Sequence, residues 1–170
     1  IFYGHAASGF NEMVGHPGNV FWHQAKKANK LFQMLDGKQR EKSLVELTPH
    51  ESDVGFRGKG EIPGLPIAEL SADQKDHARE VLRTLLEPYR AADQTEALKL
   101  VEAQGGLDAC RLSYYRKASD GSSIDLGDDG EWDVWRLEGP SFVWHYRGFP
   151  HVHVWVNVSD DPTIKLNARG

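Results

Sequence analysis

Apolar residues recur every three or four positions in the first two thirds of the chain and at every second position in the last third. The first apolar stripe predicts an amphipathic helix whose core-facing residues are Phe21, Ala25, Ala28, Leu31, Phe32 and Leu35. Asn19 can cap this helix, and Asp36-Gly37 can end it. The same Asp36 can cap a second short helix over KQREKSLVEL, so two helices are predicted before residue 48.

Two more helices are predicted between residues 71 and 104. Ser71 and Gln74 form a capping-box pattern at the head of ADQKDHAREVLRTLLEPYR, and the following helix runs from about Ala92 to Gln104, where Gly105-Gly106 stops it. The segments 1–18 and 48–66 are rich in glycine, proline and polar residues, which is typical of loops.

From about Cys110 the apolar period becomes two, which is the signature of strands. Four segments rich in valine and aromatic residues are separated by turn signals: RLSYYRKA, WDVWRLEG, SFVWHYRG and HVHVWVNV. Helices followed by an antiparallel meander predict the α+β class, with N-terminal helices packed on a C-terminal sheet. At 170 residues, the chain is expected to form a single domain over 1–170, and its start at Ile1 suggests the C-terminal part of a longer precursor.

Charge and composition exclude several classes of partner. The formal net charge of -5, with acidic and basic residues interleaved, provides no basic stripe for nucleic acid and no polybasic patch for a membrane surface. Apolar runs are too short for a membrane span. Cys110 is the sole cysteine, so an intrachain disulfide and cysteine-based metal clusters are excluded, and its apolar surroundings predict a buried, inert thiol.

Three of the eight histidines lie within nine residues near the C-terminus. Side chains alternate along a strand, so His151 and His153 share one face of HVHVWVNV while its valines face the core. A three-residue loop over 148–150 would place Arg147 opposite His151 and His145 opposite His153, so that the three imidazoles converge. A two-residue loop would shift the register by one and send His145 to the valine side, so that the three imidazoles would no longer converge.

Three neutral imidazoles on a hairpin form a suitable ligand set for copper, iron or zinc, with His145, His151 and His153 as the ligands. Three further histidines near the N-terminus are candidates to complete the site or to form another: His5, His16 and His23. Two alternatives stay open. The histidines can belong to a solvated sheet face, where Arg147 disfavours a cation, or one of them can act in catalysis without a metal.

Three stretches resemble the C-terminal part of the bacterial family catalogued as domain of unknown function 3500: residues 15–44, residues 64–90 and WDVWRLEGPSFVWHYRGFPHVHVWVNV. The resemblance covers most of the chain, and the tryptophan-rich hairpin ending in histidines is its most specific part. Where the family pattern has GHH, a small polar stretch and Asn, this sequence has GFPHVHVWVN. The resemblance implies a longer precursor with an export signal, and hence a periplasmic or secreted location.

The leading hypothesis is a metal-binding protein, in which copper or iron supports oxidoreductase chemistry on a small-molecule substrate. One alternative is a non-enzymatic binding or scaffold module, whose aromatic hairpin packs on another chain or on the missing N-terminal segment. Another is a zinc-dependent or metal-free hydrolase, although the sequence offers no evident nucleophile. The sequence alone does not identify catalytic residues.

Overall fold

The computed structural model describes residues 2–4, 20–118, 130–148 and 152–166. The α-helices in this part of the chain are α1 (Trp22–Met34), α2 (Gly37–Ser43), α3 (Ala72–Leu86) and α4 (Ala91–Ala103). The strands are β1 (Phe2–Gly4), β2 (Leu44–Thr48), β3 (Leu65–Pro66), β4 (Arg111–Ala118), β5 (Val134–Gly139), β6 (Phe142–Arg147) and β7 (His153–Val158). The helices precede the meander β4 to β7, which confirms the predicted α+β class.

All seven strands belong to one sheet of order β1-β7-β6-β5-β4-β2, and β3 also pairs with β4. The pairing is antiparallel except between β2 and β4, which run parallel. Three short strands contradict the sequence prediction. Phe2–Gly4 and Leu65–Pro66 were expected in loops and Leu44–Thr48 at the end of a helix, but each pairs with a long strand, and this pairing outweighs weak local preference.

Side-chain caps fix the starts of two helices as predicted. Asp36 accepts a hydrogen bond from the Gln39 backbone amide (2.9 Å), and the Gln39 side chain accepts one from the Asp36 amide (3.0 Å). Ser71 and Gln74 form the same reciprocal arrangement at the head of α3. The predicted cap of α1, Asn19, lies outside the described residues.

One face of the sheet packs against the helices and forms the main core. Its largest fully buried side chains are Tyr114, Trp135, Trp144, Tyr146 and Phe142. The valines of β7 join this core, as alternation predicted, and α1 contributes Ala25, Ala28 and Leu31. The Tyr114 hydroxyl donates to the Ala28 carbonyl (2.7 Å), which ties α1 to the centre of the sheet. No helix among the described residues has the length and apolarity needed to cross a membrane.

The opposite face of the sheet is covered by residues 49–64, which we call the covering loop. Val54 packs against Val143 and Trp155 at one end. At the other end, the Ser113 hydroxyl donates to the Pro63 carbonyl (3.0 Å). Because this loop lies over the second face, the polar side chains there are buried between loop and sheet instead of facing solvent.

Candidate functional site

His145 and His153 lie on the covered face, as strand alternation predicted, but the predicted register is wrong. Arg147 pairs with His153 and His145 pairs with Trp155, so the connection comprises residues 148–152 instead of 148–150. The register moves by two residues, which preserves the face while it changes the partners. Loop length is not encoded in strand periodicity, so the sequence could predict the face but not the pairing.

Within the described residues, none of the remaining candidate histidines lies beside His145 and His153. His5, His16 and His151 lie outside that part of the chain. His23 lies in the first turn of α1, in the helix layer on the other side of the sheet, where its exposed Nε2 is 3.2 Å from Glu87 Oε2. His23 therefore does not join His145 and His153.

His145 is a buried, neutral imidazole. Its Nδ1 accepts a hydrogen bond from Arg136 Nε (2.8 Å), which places the ring proton on Nε2. Nε2 has no hydrogen-bond partner in the part of the chain that the structure describes. Burial lowers the pKa of His145 well below 6.5, and the positive charges of Arg136 and Arg147 lower it further.

Beside His145, two arginines share one buried carboxylate. Glu138 Oε1 accepts from Arg57 Nε (3.1 Å) and from Arg136 Nη1 (3.3 Å). The side chains of Arg136 and Glu138 are only 1% and 2% exposed, while that of Arg57 is 31% exposed. Arg136 Nη2 is buried and has no hydrogen-bond partner among the described residues. This group of two guanidinium groups and one carboxylate has an excess of positive charge.

A second ionic group binds the covering loop to the sheet. Glu51, in the loop, forms an ion pair with Arg147, and Glu51 Oε2 lies 3.3 Å from His153 Nδ1. Burial alone would raise the pKa of Glu51, but the hydrogen bond with His153 and the charge of Arg147 outweigh it and lower the pKa below its ordinary value. The loop thus reaches the sheet through a carboxylate here and through Arg57 at Glu138.

A cavity of about 420 Å³ opens between the covering loop and β5. Buried Arg136 lies at its inner end, Arg57 lines its wall, and Phe56 supplies an aromatic surface. The exposed residues Asp53 and Glu61 line the cavity nearer to solvent. Among the side chains that line the cavity, the guanidinium groups are therefore more buried than the two carboxylates, which we place at its mouth.

The environment of the two placed histidines is less suited to a cation than the sequence suggested. No group of three or more His, Cys, Asp or Glu side chains is arranged to hold a metal ion among the described residues. His145 Nδ1 is occupied by Arg136, and Arg147 contacts His153 Nδ1. The metal site remains a prediction that depends on the histidines outside the described residues. Cys110 is buried and burial raises its pKa, as expected for an inert thiol.

Three residues that dominate this site were not predicted from the sequence: Arg57, Arg136 and Glu138. Arg136 and Glu138 alternate with apolar residues in VWRLEG, which places them on one face of β5. That pattern normally indicates a solvated face. The covering loop lies over this face, and its position cannot be read from strand periodicity.

Searches against protein-family models, curated proteins and solved structures find no match to this chain. The resemblance to the family of domain of unknown function 3500 therefore stays a prediction. The class of site is defined by its own geometry, as a loop-covered cavity lined by one buried arginine, Arg136, and one partly exposed arginine, Arg57.

The buried neutral His145 makes stability depend on pH. The unfolded chain takes up a proton at this residue below about pH 6.5, whereas the folded protein does not until the pH is much lower. We therefore expect stability to fall as pH decreases from 6.5, by up to about 1.4 kcal/mol per pH unit from this residue. Urea unfolding, followed by tryptophan fluorescence at roughly pH 7.5, 6.5 and 5.5, measures this slope.

In His145→Gln, whose amide oxygen can accept from Arg136, the slope below pH 6.5 should decrease. The matched variant His23→Gln, which changes an exposed imidazole, should keep the wild-type slope. An unchanged slope in His145→Gln would assign the pH dependence to other groups.

Proposed function

We propose that the protein binds a small molecule with an anionic group, a carboxylate or a phosphate, in the cavity between the covering loop and β5. One observation carries this proposal: Arg136 lines the cavity, is buried, and keeps Nη2 without a hydrogen-bond partner among the described residues, while it shares its carboxylate partner with Arg57. An anionic ligand supplies the missing partner and the missing negative charge.

The chemistry of the two side chains supports an anion. A guanidinium group presents parallel N–H donors that match the two oxygens of a carboxylate or phosphate, and such charge-assisted bonds are strong where water is excluded. A buried guanidinium group without full pairing is costly, so a ligand that completes the pairing gains affinity from it. Because Nη2 is buried, the covering loop has to shift slightly before the ligand can reach it; Arg57, which is more exposed, makes the first contact.

The mouth of the cavity restricts the rest of the ligand. Asp53 and Glu61 repel a second anionic group there, so polyanions are disfavoured. Phe56 offers a surface for a planar or apolar part. A volume of about 420 Å³ is in the range of small-molecule sites. These features favour a compact ligand with a single anionic group, whose remainder is neutral or cationic.

Binding can be tested by calorimetric titration with benzoate and phenyl phosphate, with benzamide as a neutral analogue of benzoate. The proposal predicts that either or both anions bind more tightly than benzamide. Arg57→Gln should weaken anion binding by about tenfold, the effect of a lost charge-assisted hydrogen bond. The control is Arg79→Gln, because Arg79 is an exposed arginine paired with Asp76 on α3 and should leave binding unchanged. Comparison of the two anions shows which group the site prefers.

Equal affinity for benzoate, phenyl phosphate and benzamide would contradict the proposal, as would unchanged anion binding in Arg57→Gln. A circular dichroism spectrum of each variant establishes that it is folded. Since Arg57 is partly exposed and lies in a loop, its replacement is expected to leave the sheet intact.

Metal binding is a second candidate function, as the sequence suggested. The observation that favours it is the shared face of His145 and His153, with the Glu51 carboxylate 3.3 Å from His153 Nδ1. Elemental analysis of protein purified without chelators or a histidine tag should find near-stoichiometric copper, iron or zinc, which is lost in His151→Ala/His153→Ala. Metal-free protein after reconstitution would exclude this function. Export to the periplasm or medium likewise remains a prediction.

A further inference from the structure

A second cavity, of about 380 Å³, lies between α4, the end of β7 and residues 164–166. Its lining is mostly apolar and includes Leu86, Leu100, Val156 and Ile164. Ile164 is 47% exposed, which makes it one of the few large apolar side chains open to solvent among the described residues. We call this the α4 cavity. An apolar cavity that remains open to solvent is a typical place for the apolar part of a ligand.

The charged side chains that line the α4 cavity are both acidic. Asp93 is held by two hydrogen bonds from Arg90, at 2.8 and 3.0 Å, so its charge is largely neutralised. Glu96 is exposed and has no ion pair within the described residues. The rim therefore has a net negative charge, with Glu96 as its available carboxylate, and it is complementary to a cation.

Tyr89, whose side chain lines the α4 cavity, has a hydroxyl that lacks a partner. This hydroxyl is covered, so it does not face the open cavity, and it has no hydrogen-bond partner in the part of the chain that the structure describes. A buried hydroxyl without a partner is unfavourable, and most such groups in folded proteins are satisfied. A small shift of the Tyr89 ring towards the cavity would let a ligand provide the missing hydrogen bond.

We propose that the α4 cavity binds an amphiphilic amine, an organic cation with an aliphatic tail. The tail packs among Leu86, Leu100 and Val156, and the ammonium group lies at the rim beside Glu96. After the shift of the Tyr89 ring, its hydroxyl can accept a hydrogen bond from the ammonium group. This site is separate from the arginine-lined cavity and takes the opposite charge; Phe56 lines both, but the charged residues of the two are different.

Three probes with the same tail separate the contributions of charge and apolar surface: n-octylammonium, n-octanoate and n-octanol, titrated calorimetrically below their micelle concentrations at low salt. In the Arg57→Gln variant, where octanoate binding at the proposed anion site is weakened, octylammonium is expected to bind about tenfold more tightly than octanoate, because the acidic rim attracts one and repels the other. Glu96→Gln should weaken octylammonium binding about threefold and leave octanol binding unchanged. Glu41→Gln, at an exposed position on α2, is the matched control and should change neither.

Filling the cavity tests its location. Leu100→Trp should abolish binding of octylammonium and octanol, whereas Arg57→Gln should leave octylammonium binding unchanged, which keeps this test independent of the proposed anion site. In the Arg57→Gln variant, octanoate binding as tightly as octylammonium would overturn the proposal. Octylammonium binding that survives in a folded Leu100→Trp variant would also overturn it, as would the absence of octylammonium binding to the wild-type protein.

Discussion

Glu138→Leu should lower the free energy of unfolding by about 3–5 kcal/mol, the largest loss expected from a single substitution at the site. Glu138 is the carboxylate that Arg136 and Arg57 share. Its removal leaves Arg136, which is 1% exposed, as a buried guanidinium group without a counter-charge. Arg57 is less affected, because its side chain already reaches solvent. Urea unfolding at pH 7, followed by tryptophan fluorescence, measures the loss.

The double variant Arg136→Met/Glu138→Leu identifies the cause. It removes both charges, so it should recover most of the lost stability, since replacing a buried ion pair by apolar side chains is often neutral or stabilising. It should also abolish anion binding. Because the stability of this variant is recovered, the loss of binding could not be attributed to a folding defect. If Glu138→Leu lowered the free energy of unfolding by less than about 1 kcal/mol, this explanation would be contradicted, because Arg136 would not be left as a buried charge without a counter-charge.

Gly64→Ala should destabilise the fold by about 3 kcal/mol. Gly64 has a φ of +97°, in the region that favours glycine, and a Cβ there would overlap the Ser113 hydroxyl and the Leu112 carbonyl oxygen. Backbone strain and overpacking each contribute of the order of 1–3 kcal/mol. The residue lies where the covering loop meets β4, so its substitution should also loosen the loop and weaken anion binding. Chemical denaturation and calorimetric titration measure the two effects.

Gly37→Ala is the matched control. Gly37 is the first residue of α2, and a Cβ added there meets no atom within 4 Å. Alanine is the better helix former, so this variant should be neutral or slightly more stable. If Gly64→Ala were as stable as Gly37→Ala, the close approach of the covering loop to β4 would be wrong.

The elements with strong periodicity could be predicted from the sequence. The caps at Asp36 and Ser71, the apolar stripe of α3 and the four strands of the meander follow from local patterns that agree with the tertiary packing. The opposite orientations of His145 and Trp144 also follow from alternation along β6. These features depend on residues close together in the chain.

The site itself depends on contacts between distant segments, which periodicity does not encode. Arg57 reaches Glu138 across 81 residues, and Glu51 reaches His153 across 102. Without the covering loop, Arg136 and His145 would be interpreted as residues on a solvated sheet face. The same limitation explains the wrong hairpin register, because the length of the connection after Arg147 determines the pairing and no local signal fixes it.

The most direct test of the anion site is a crystal structure of the protein with 4-iodobenzoate, in which anomalous scattering locates the iodine. The carboxylate should lie within hydrogen-bond distance of Arg136 Nη2 and Arg57, and the iodophenyl ring should lie against Phe56 towards the mouth of the cavity. A ligand bound elsewhere, or a metal ion coordinated by His145 and His153 with the arginine-lined cavity empty at saturating 4-iodobenzoate, would contradict the proposed anion site.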